Sequence, residues 1–396
     1  MSSLRKSLFV FAVFWVLCAG AQGVTLGPYY VRTDSTAGGT GTENSIDPEN
    51  PNRAFVSQNS AEAALQQDLT DNGGDTLVLK CDDGSANLPD TVAVTIAGWT
   101  MNATCYLQVQ VDADLRHNGA WDETAYRLYV ADAYTLSIHE EYMRKDGLQI
   151  GMSSITTGKD VIYISGLAAS NDIRISNCLV RGPDNDSVFS RLVNMDDADV
   201  KLTVRNSVFY DAGNASGAYG IYGSGGMNLY NTTIDNCLIG IRVWGACVER
   251  NVLVRIDGAG AECWYNNASH DRSYCASSDA TANEQGGTGN RDSQTFTFAG
   301  AGDYHLDAAD EGALDFGDDL TTYGFTTDID GETRVASWDI GADEYISAAS
   351  PTPTPSATPT QTPTPTATPT QTPTPTPYPR PLVGGNLVEM GSRLVR

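Results

Sequence analysis

The sequence contains few basic residues and few histidines. Its 396 residues include 24 lysines and arginines against 49 aspartates and glutamates, which gives a formal net charge of -25. An acidic excess of this size argues against binding to nucleic acid or to anionic membrane surfaces through a general electrostatic field. The 4 histidines are dispersed, at positions 117, 139, 270 and 305, so the sequence does not predict a metal centre built on histidine.

Several catalytic motifs are incomplete or missing. His139 and Glu140 are followed by Met143 where a metalloprotease helix needs its second histidine. The glycine-rich stretch 217–226 lacks the Lys-Ser or Lys-Thr pair of a phosphate-binding loop. No Gly-x-Ser-x-Gly elbow presents a nucleophilic serine. The sequence therefore disfavours these three kinds of active site.

The cysteines do not form a complete disulfide framework. Seven lie beyond residue 23, and an odd number leaves at least one unpaired in an oxidising compartment. No Cys-x-x-Cys spacing indicates a zinc site. The favoured bridges join Cys81 to Cys105 and Cys263 to Cys275, and the sequence leaves this pairing open.

Long apolar runs are confined to the N-terminus. Arg5 and Lys6 precede the apolar run 8–17, and small residues follow at 19–21. This order predicts a secretory signal over residues 1–23, too short to be assigned as a membrane span. Its removal would leave 22 basic and 49 acidic residues, a net charge of -27. We therefore expect a protein that is secreted, extracellular or displayed on the cell surface.

The most informative feature is a short sequence motif that occurs four times and that we call the Asn phrase. It consists of an apolar residue followed by Asn, a small residue and another apolar residue. The copies are Ile175-Ser-Asn177-Cys-Leu-Val180, Val204-Arg-Asn206-Ser-Val-Phe209, Leu229-Tyr-Asn231-Thr-Thr-Ile234 and, more loosely, Val248-Glu-Arg-Asn251-Val-Leu-Val254. Each unit is too short to bury its own apolar face, so neighbouring units must stack as a solenoid. We expect Asn177, Asn206 and Asn231 to stack in a turn ladder about 4.8 Å apart.

The remainder of the chain divides into three parts. Short apolar and β-branched runs between glycines, asparagines and aspartates predict an all-β domain over 24–346, with an N-terminal cap at about 24–75 and a terminal segment at about 286–346. Within the cap, Ser60 is a plausible N-cap of a short helix that presents Ala61, Ala64, Leu65 and Leu69 on one face. The Thr-Pro repeats of a linker at 347–381 predict a disordered polyproline II stalk of roughly 100 Å, and 382–396 form a short tail.

The order of several motifs along the chain is informative: Tyr29-Tyr-Val, the capping helix, Gly74-Asp-Thr-Leu-Val, Tyr106-Leu-Gln-Val, Arg116-His-Asn-Gly119, Gly147-Leu-Gln-Ile150, the Asn phrases and Asp339-Ile-Gly-Ala-Asp-Glu-Tyr345. In this order the chain resembles, over roughly residues 24–346, secreted bacterial and phage right-handed parallel β-helix proteins of the pectate-lyase-like superfamily. The resemblance implies a right-handed parallel β-helix with a capping helix. It implies little about activity, because the family includes lyases, glycosidases, tailspikes and proteins without known activity. The Gly-His-Gly and Arg-Ile-Lys phrases of β-helical pectin hydrolases are missing.

Strand alternation predicts which side chains face outward. Residues beside the inward apolar position of each phrase point the other way. Arg174, Arg205 and Tyr230 are such residues. Lys201 lies two residues before Thr203 and therefore points to the same side of the strand. Stacked coils would gather these side chains into one exposed patch, which suits acidic sugars. An exposed Trp244 or Trp264 would also suit stacking on a sugar ring, although a Trp with a partly buried edge is more common.

The same patch could also perform chemistry. A uronate β-eliminating lyase needs a base for the C5 proton and a cation or hydrogen-bond donor for the carboxylate. In this alternative, Lys201, Arg205 or Tyr230 is the base, with Arg174 on the same face. The hard oxygen ligands of an optional Ca²⁺ cofactor would come from Asp196, Asp197 and Asp199.

Three functions therefore remain open from the sequence. The leading hypothesis is recognition of an extracellular polysaccharide by a monomer or homotrimer. The first alternative is a polysaccharide lyase, and the second is a structural fibre or phage-associated component. Near the end of the chain, the turn at 328–332 is expected to pair Arg334 with a carboxylate, and a second Ca²⁺ loop is the competing interpretation.

Overall fold

We analysed a computed structural model that describes residues 24–347 except 72–74, 169–170, 184–187, 214, 257, 259, 266–269 and 336. The predicted signal at 1–23, the Thr-Pro repeats and the tail at 382–396 lie outside the described residues. The described chain is dominated by strands, as the short apolar runs predict.

The strands fall into two large parallel sheets and one small antiparallel hairpin. The 13-stranded sheet contains β1 (Thr25–Arg32), β2 (Thr76–Asp82), β4 (Leu107–Gln110), β5 (Arg127–Ala131), β7 (Met143–Asp146), β8 (Gln149–Ser154), β10 (Ile173–Ser176), β11 (Leu179–Arg181), β13 (Lys201–Gly213), β15 (Gly226–Cys237), β17 (Cys247–Arg255), β19 (His270–Ser273) and β20 (Ala276–Ser277). The seven-stranded sheet contains β3 (Val94–Ile96), β6 (Leu136–Ile138), β9 (Lys159–Ile164), β12 (Ser190–Met195), β14 (Tyr219–Gly223), β16 (Ile239–Val243) and β18 (Glu262–Trp264). The hairpin joins β21 (Phe298–Gly300) to β22 (Asp303–Leu306).

The chain winds repeatedly between the two sheets. One coil runs from β10 through a turn to β11 in the large sheet and then to β12 in the small sheet, and the next coil begins at β13. The small sheet is ordered β3, β6, β9, β12, β14, β16 and β18, so coils stack in the order of the sequence. This is an all-β parallel solenoid, in agreement with the repeat pattern.

The core lies between the two sheets. Ile175 pairs with Val204, and Val204 pairs with Leu229, so the apolar residues of successive phrases stack in register. All three are fully buried. A short unit thereby buries its apolar face against the coils above and below, which supplies most of its stabilisation.

The predicted asparagine ladder is confirmed. Asn177, Asn206, Asn231 and Asn251 all have positive φ, between 45° and 54°, a conformation that Asn tolerates better than most residues. The amide Nδ2 of Asn206 donates to Oδ1 of Asn177 at 3.2 Å, Asn231 donates to Asn206 at 3.2 Å, and Asn251 donates to Asn231 at 3.0 Å. Asparagine therefore serves two purposes at these positions. It tolerates the positive φ of the turn, and its side-chain amide forms a hydrogen bond to the next coil.

The predicted helix is present but begins and ends earlier than expected, so Leu69 lies beyond it, and Ala64 is exposed. Helix α1 spans Gln58–Leu65, and its N-cap is Ser57, whose hydroxyl accepts from the backbone of Ser60. Ser60 is the third helical residue and bonds back to the N-cap, which completes a capping box. Ala61 and Leu65 lie with Leu77 and Ile96 around one small apolar space, so the helix covers the first coil.

Neither favoured disulfide is formed, and all seven described cysteines are free and buried. Leu77 pairs with Leu107, which places Cys81 level with residue 111 and about 20 Å along the strand from Cys105. Cys263 lies in β18 of the small sheet, whereas Cys275 directly precedes β20 of the large sheet. A bridge needs Cα atoms within about 7 Å, so the first pairing would require backbone movement.

The terminal segment folds back over the second half of the large sheet. Asn206 donates to the carbonyl of Thr327 at 3.0 Å, and Asn251 exchanges two hydrogen bonds with the backbone of Asp318. Within the segment, Arg334 is buried and pairs with Glu344 at 3.2 Å, as the sequence predicted. The ladder therefore anchors the segment as well as the coils.

Replacing Asn231 should lower the free energy of unfolding, because this residue lies in the middle of the asparagine ladder. Asn231→Ala removes two buried amide hydrogen bonds and leaves Ala at positive φ, so we expect a loss of about 2 to 4 kcal/mol. Asn87→Ala is the matched control, because Asn87 has φ 52° but is exposed and outside the ladder. Urea unfolding of both variants provides the comparison, and equal losses would contradict the ladder's role.

Candidate functional site

Two columns of polar side chains cross the outer surface of the large sheet. Parallel register aligns one residue from each strand, so side chains at equivalent positions stack along the solenoid axis. The first column is Gln108, Arg144, Arg174, Thr203 and Asn228. The second is Gln110, Asp146, Ser176, Arg205 and Tyr230. The sequence phrase thus fixes the spacing of an exposed surface as well as that of the core.

These columns form the floor of an elongated groove. One cleft of about 320 Å³ contains Arg144, Arg174 and Arg205, and it adjoins a second of about 220 Å³ that reaches Tyr230. Residues 324–327 of the terminal segment form a wall of the first cleft. We refer to the two adjoining clefts as the arginine groove.

One carboxylate neutralises part of this groove. Asp172 accepts from both guanidinium groups that flank it, Arg144 at 2.8 Å and Arg174 at 2.6 Å. Burial by itself would raise the pKa of Asp172, but the hydrogen bonds and charge of Arg174 and Arg144 hold it below its ordinary value. Asp172 therefore stays ionised and fixes the direction in which these two arginines point.

Arg205 lacks such a partner among the described residues. Its Nε donates to the hydroxyl of Ser176 at 3.0 Å, and its guanidinium carbon lies 5.6 Å from the ring centre of Phe325. No described carboxylate lies within 4.0 Å of it. Burial and the neighbouring charge of Arg174 lower the pKa of Arg205. Its charge is therefore available to a ligand that carries an anion.

Aromatic rings surround the second half of the groove. Tyr230 packs against Phe325 with ring centres 5.1 Å apart and against Tyr323 at 5.3 Å. At the other end, the guanidinium of Arg144 lies over the ring of Tyr106 at 4.7 Å. Burial raises the pKa of Tyr230, so its phenol stays protonated and can donate a hydrogen bond.

The structure brings together three of the four predicted catalytic candidates. Arg174, Arg205 and Tyr230 line the groove, whereas Lys201 is exposed at the start of β13 and does not line either cleft. Sequence reasoning missed Arg144, although it occupies the position of Arg174 one coil earlier. It also missed Phe325, which lies about a hundred residues beyond Tyr230 in sequence and reaches the groove only in the folded chain.

The three aspartates predicted to hold Ca²⁺ lie in and beside the turn between β12 and β13. Asp196 accepts from the hydroxyl of Tyr163 at 2.8 Å, and Asp197 accepts from the backbone of Asp199 at 3.0 Å. Within the described ranges, these aspartates do not belong to a group of three donor side chains that converge within 4.8 Å. The Ca²⁺ site stays a prediction.

Two other groups of potential donor side chains do converge in the described part of the chain. Cys247, Glu249 and His270 form one of them, and His305, Asp330 and Asp343 form the other. In the first, Glu249 is already paired with Arg272 at 2.7 Å, and in the second, Asp330 is paired with His305 at 2.7 Å. Both clusters therefore contain an ion-paired carboxylate, and neither lines the arginine groove.

No protein-family model matches the chain, and neither a curated protein nor a solved structure shows significant similarity to it. Along the part of the chain that the structure describes, no helix has the length and apolar character needed to cross a membrane. The site must therefore be interpreted from its own chemistry.

The pKa values of two of the dispersed histidines should be shifted in opposite directions. Burial lowers the pKa of His117, which bonds the carbonyl of Asn177 beneath the groove, to about 4. Hydrogen bonds to Asp330 and Asp303 raise the pKa of His305 to about 10. Stability from His117 is then present above pH 6.5 and lost as pH falls towards 4, whereas stability from His305 is present below 6.5 and lost as pH rises through 10.

Imidazole NMR titration measures these two pKa values directly. Resonances are assigned with His117→Gln and His305→Gln. We expect one resonance to titrate near 4 and another near 10. If both titrate close to the ordinary histidine pKa of 6.5, the contacts assigned to these rings are wrong.

Proposed function

We propose that the protein is a secreted, right-handed parallel β-helix of the pectate-lyase-like kind that binds an acidic polysaccharide in the arginine groove. The observation that carries this proposal is the placement of Arg144, Arg174 and Arg205 on three successive strands of one outer surface. Right-handedness follows the strong preference of crossover connections between parallel strands.

The groove matches an anionic sugar chain in charge and in shape. Arg205 supplies a guanidinium without a described counter-ion, and guanidinium groups form strong bidentate hydrogen bonds with carboxylates. Tyr230, Tyr323 and Phe325 offer apolar surface to sugar rings. Because the chain as a whole is strongly acidic, this cationic groove is the favourable approach for an acidic polymer.

The predicted ends of the chain support a role outside the cell. An N-terminal secretory signal would export the protein, and the Thr-Pro stalk would hold the solenoid away from its attachment point. Helix α1 would serve as the cap that prevents pairing at the open end of the solenoid. The leading function is thus surface adhesion or carbohydrate binding.

Removing Arg205 should weaken binding of acidic polysaccharide. We expect Arg205→Ala to lower affinity for polygalacturonate or alginate by about 10- to 100-fold, because a hydrogen bond to a charged group contributes about 1.5 to 3 kcal/mol. Affinity gel electrophoresis or calorimetry at two salt concentrations measures the change. The effect should shrink at high salt, since the interaction is electrostatic.

Lys201→Ala is the matched control for this experiment. It removes one positive charge from the same strand and the same side of the sheet, but from outside the groove. We expect it to leave affinity within about twofold of the original protein. An equal loss in both variants would show a general charge effect, and no binding by the original protein to acidic polymers would overturn the proposal.

A lyase is the second candidate, and the convergence of Arg174, Arg205 and Tyr230 along one cleft favours it, because two of the candidate bases then lie beside a possible carboxylate partner. In β-elimination the base takes the C5 proton, the electrons form a C4–C5 double bond, and the C4–O bond to the leaving sugar breaks. Arg174 would neutralise the uronate carboxylate, with or without Ca²⁺.

Ultraviolet absorbance of unsaturated uronate products separates the two functions. The protein is incubated with alginate, polygalacturonate and glycosaminoglycans, with added Ca²⁺ and with EDTA. Product that disappears in Arg205→Ala but persists in Lys201→Ala would establish the lyase. If no product forms while binding persists, the groove recognises polysaccharide without cleaving it.

A further inference from the structure

A second surface, on the outside of the seven-stranded sheet, carries an unusual density of aromatic side chains. The register of this sheet aligns Asn194 of β12 with Tyr222 of β14 and then with Arg242 of β16. Around this row lie five rings, those of Phe189, Tyr219, Tyr222, Trp244 and Tyr265, which we call the aromatic face. It belongs to a different sheet from the arginine groove.

The rings of the aromatic face hold one another in place. Tyr222 packs on Tyr219 with ring centres 4.8 Å apart and meets Trp244 edge-on at 5.2 Å. The guanidinium of Arg242 lies among three rings, 4.2 Å from Tyr265, 5.2 Å from Trp244 and 5.8 Å from Tyr219. It also donates to the hydroxyl of Tyr219 at 3.0 Å. A surface fixed in this way loses little side-chain entropy when it binds.

Two of these rings remain open to solvent despite the packing. Trp244 is 41% exposed and Phe189 is 36% exposed. Phe189 lies against Gly158 and Gly217, and a Cβ at residue 158 would overlap its ring. Large exposed rings on a soluble protein mark interaction sites when they gather in one patch. Phe189 precedes β12 and Trp244 follows β16, so the two residues lie at opposite edges of the parallel sheet as well as two coils, or about 10 Å, apart along the axis.

The two arginines of the aromatic face are engaged by neighbouring side chains, Arg191 by a carboxylate and Arg242 by rings. Arg191 pairs with Asp160 at 2.6 Å, and Asn194 donates to the same carboxylate at 2.8 Å. Arg242 is covered by rings. What the surface offers is ring faces, ring edges and tyrosine hydroxyls. These groups complement a ligand with apolar C–H faces and many hydroxyl groups.

We propose that the aromatic face is a second carbohydrate-binding site, which takes an uncharged polysaccharide by stacking its pyranose rings on Trp244 and Phe189. The elongated arrangement of the rings fits an extended chain better than a single sugar. Arg191 is neutralised by Asp160 and the guanidinium of Arg242 is stacked among rings, so the net acidic charge of the chain disfavours an acidic polymer here. The site is independent of the function proposed for the arginine groove.

Affinity gel electrophoresis in hydroxyethylcellulose, galactomannan and dextran tests this proposal on the full chain. We expect the original protein to be retarded by at least one of these uncharged polymers. The double variant Trp244→Ala/Phe189→Ala should lose at least tenfold in affinity. Phe316→Ala is the matched control, because Phe316 is 42% exposed on the terminal segment, and it should bind as the original protein does. Circular dichroism and urea unfolding confirm that each variant is folded.

Arg205→Ala separates this site from the arginine groove. It should retain binding to the uncharged polymer even if it loses acidic polysaccharide, and the double variant should behave in the opposite way. The proposal is overturned if no uncharged polymer retards the protein, or if the double variant and Phe316→Ala bind equally. It is also overturned if light scattering shows an oligomer that the double variant converts to monomer, because the face would then join copies of the chain.

Discussion

The lateral hydrogen bonds of the asparagine ladder are the constraint on which the rest of the structure depends. Each asparagine turns the backbone through a positive φ that other residues tolerate poorly, and its amide joins the next coil. In a parallel sheet a slip of one residue would send every core side chain to the outer face. The buried amides of Asn206 and Asn231 oppose that slip, because a shifted register would leave them without partners.

A fixed register has consequences on both outer faces of the solenoid. Side chains at equivalent positions of successive coils are brought within one strand spacing, although they are 20 to 30 residues apart in sequence. On the large sheet this produces the columns that hold Arg174 and Arg205. On the small sheet it produces the row that holds Tyr222 and Arg242. Two surfaces of different chemistry therefore arise from one repeat.

The terminal segment converts an open sheet face into a groove. Its backbone is held by Asn206 and Asn251, the same residues that hold the coils. The buried ion pair of Arg334 with Glu344 fixes the segment's own fold. Phe325 and Tyr323 are thereby placed against Tyr230. The groove wall thus depends on contacts between residues that are about a hundred positions apart.

The sequence alone determined the all-β solenoid, the stacking of Asn177 with Asn206, and the outward direction of Arg174 and Arg205, because each follows from local period and strand alternation. Tertiary structure decided the rest. It left the cysteines unpaired, since bridging depends on distances across coils that composition does not encode. It separated Lys201 from the groove and added Phe325, because a wall built from a distant segment leaves no periodic signal in the strands it covers.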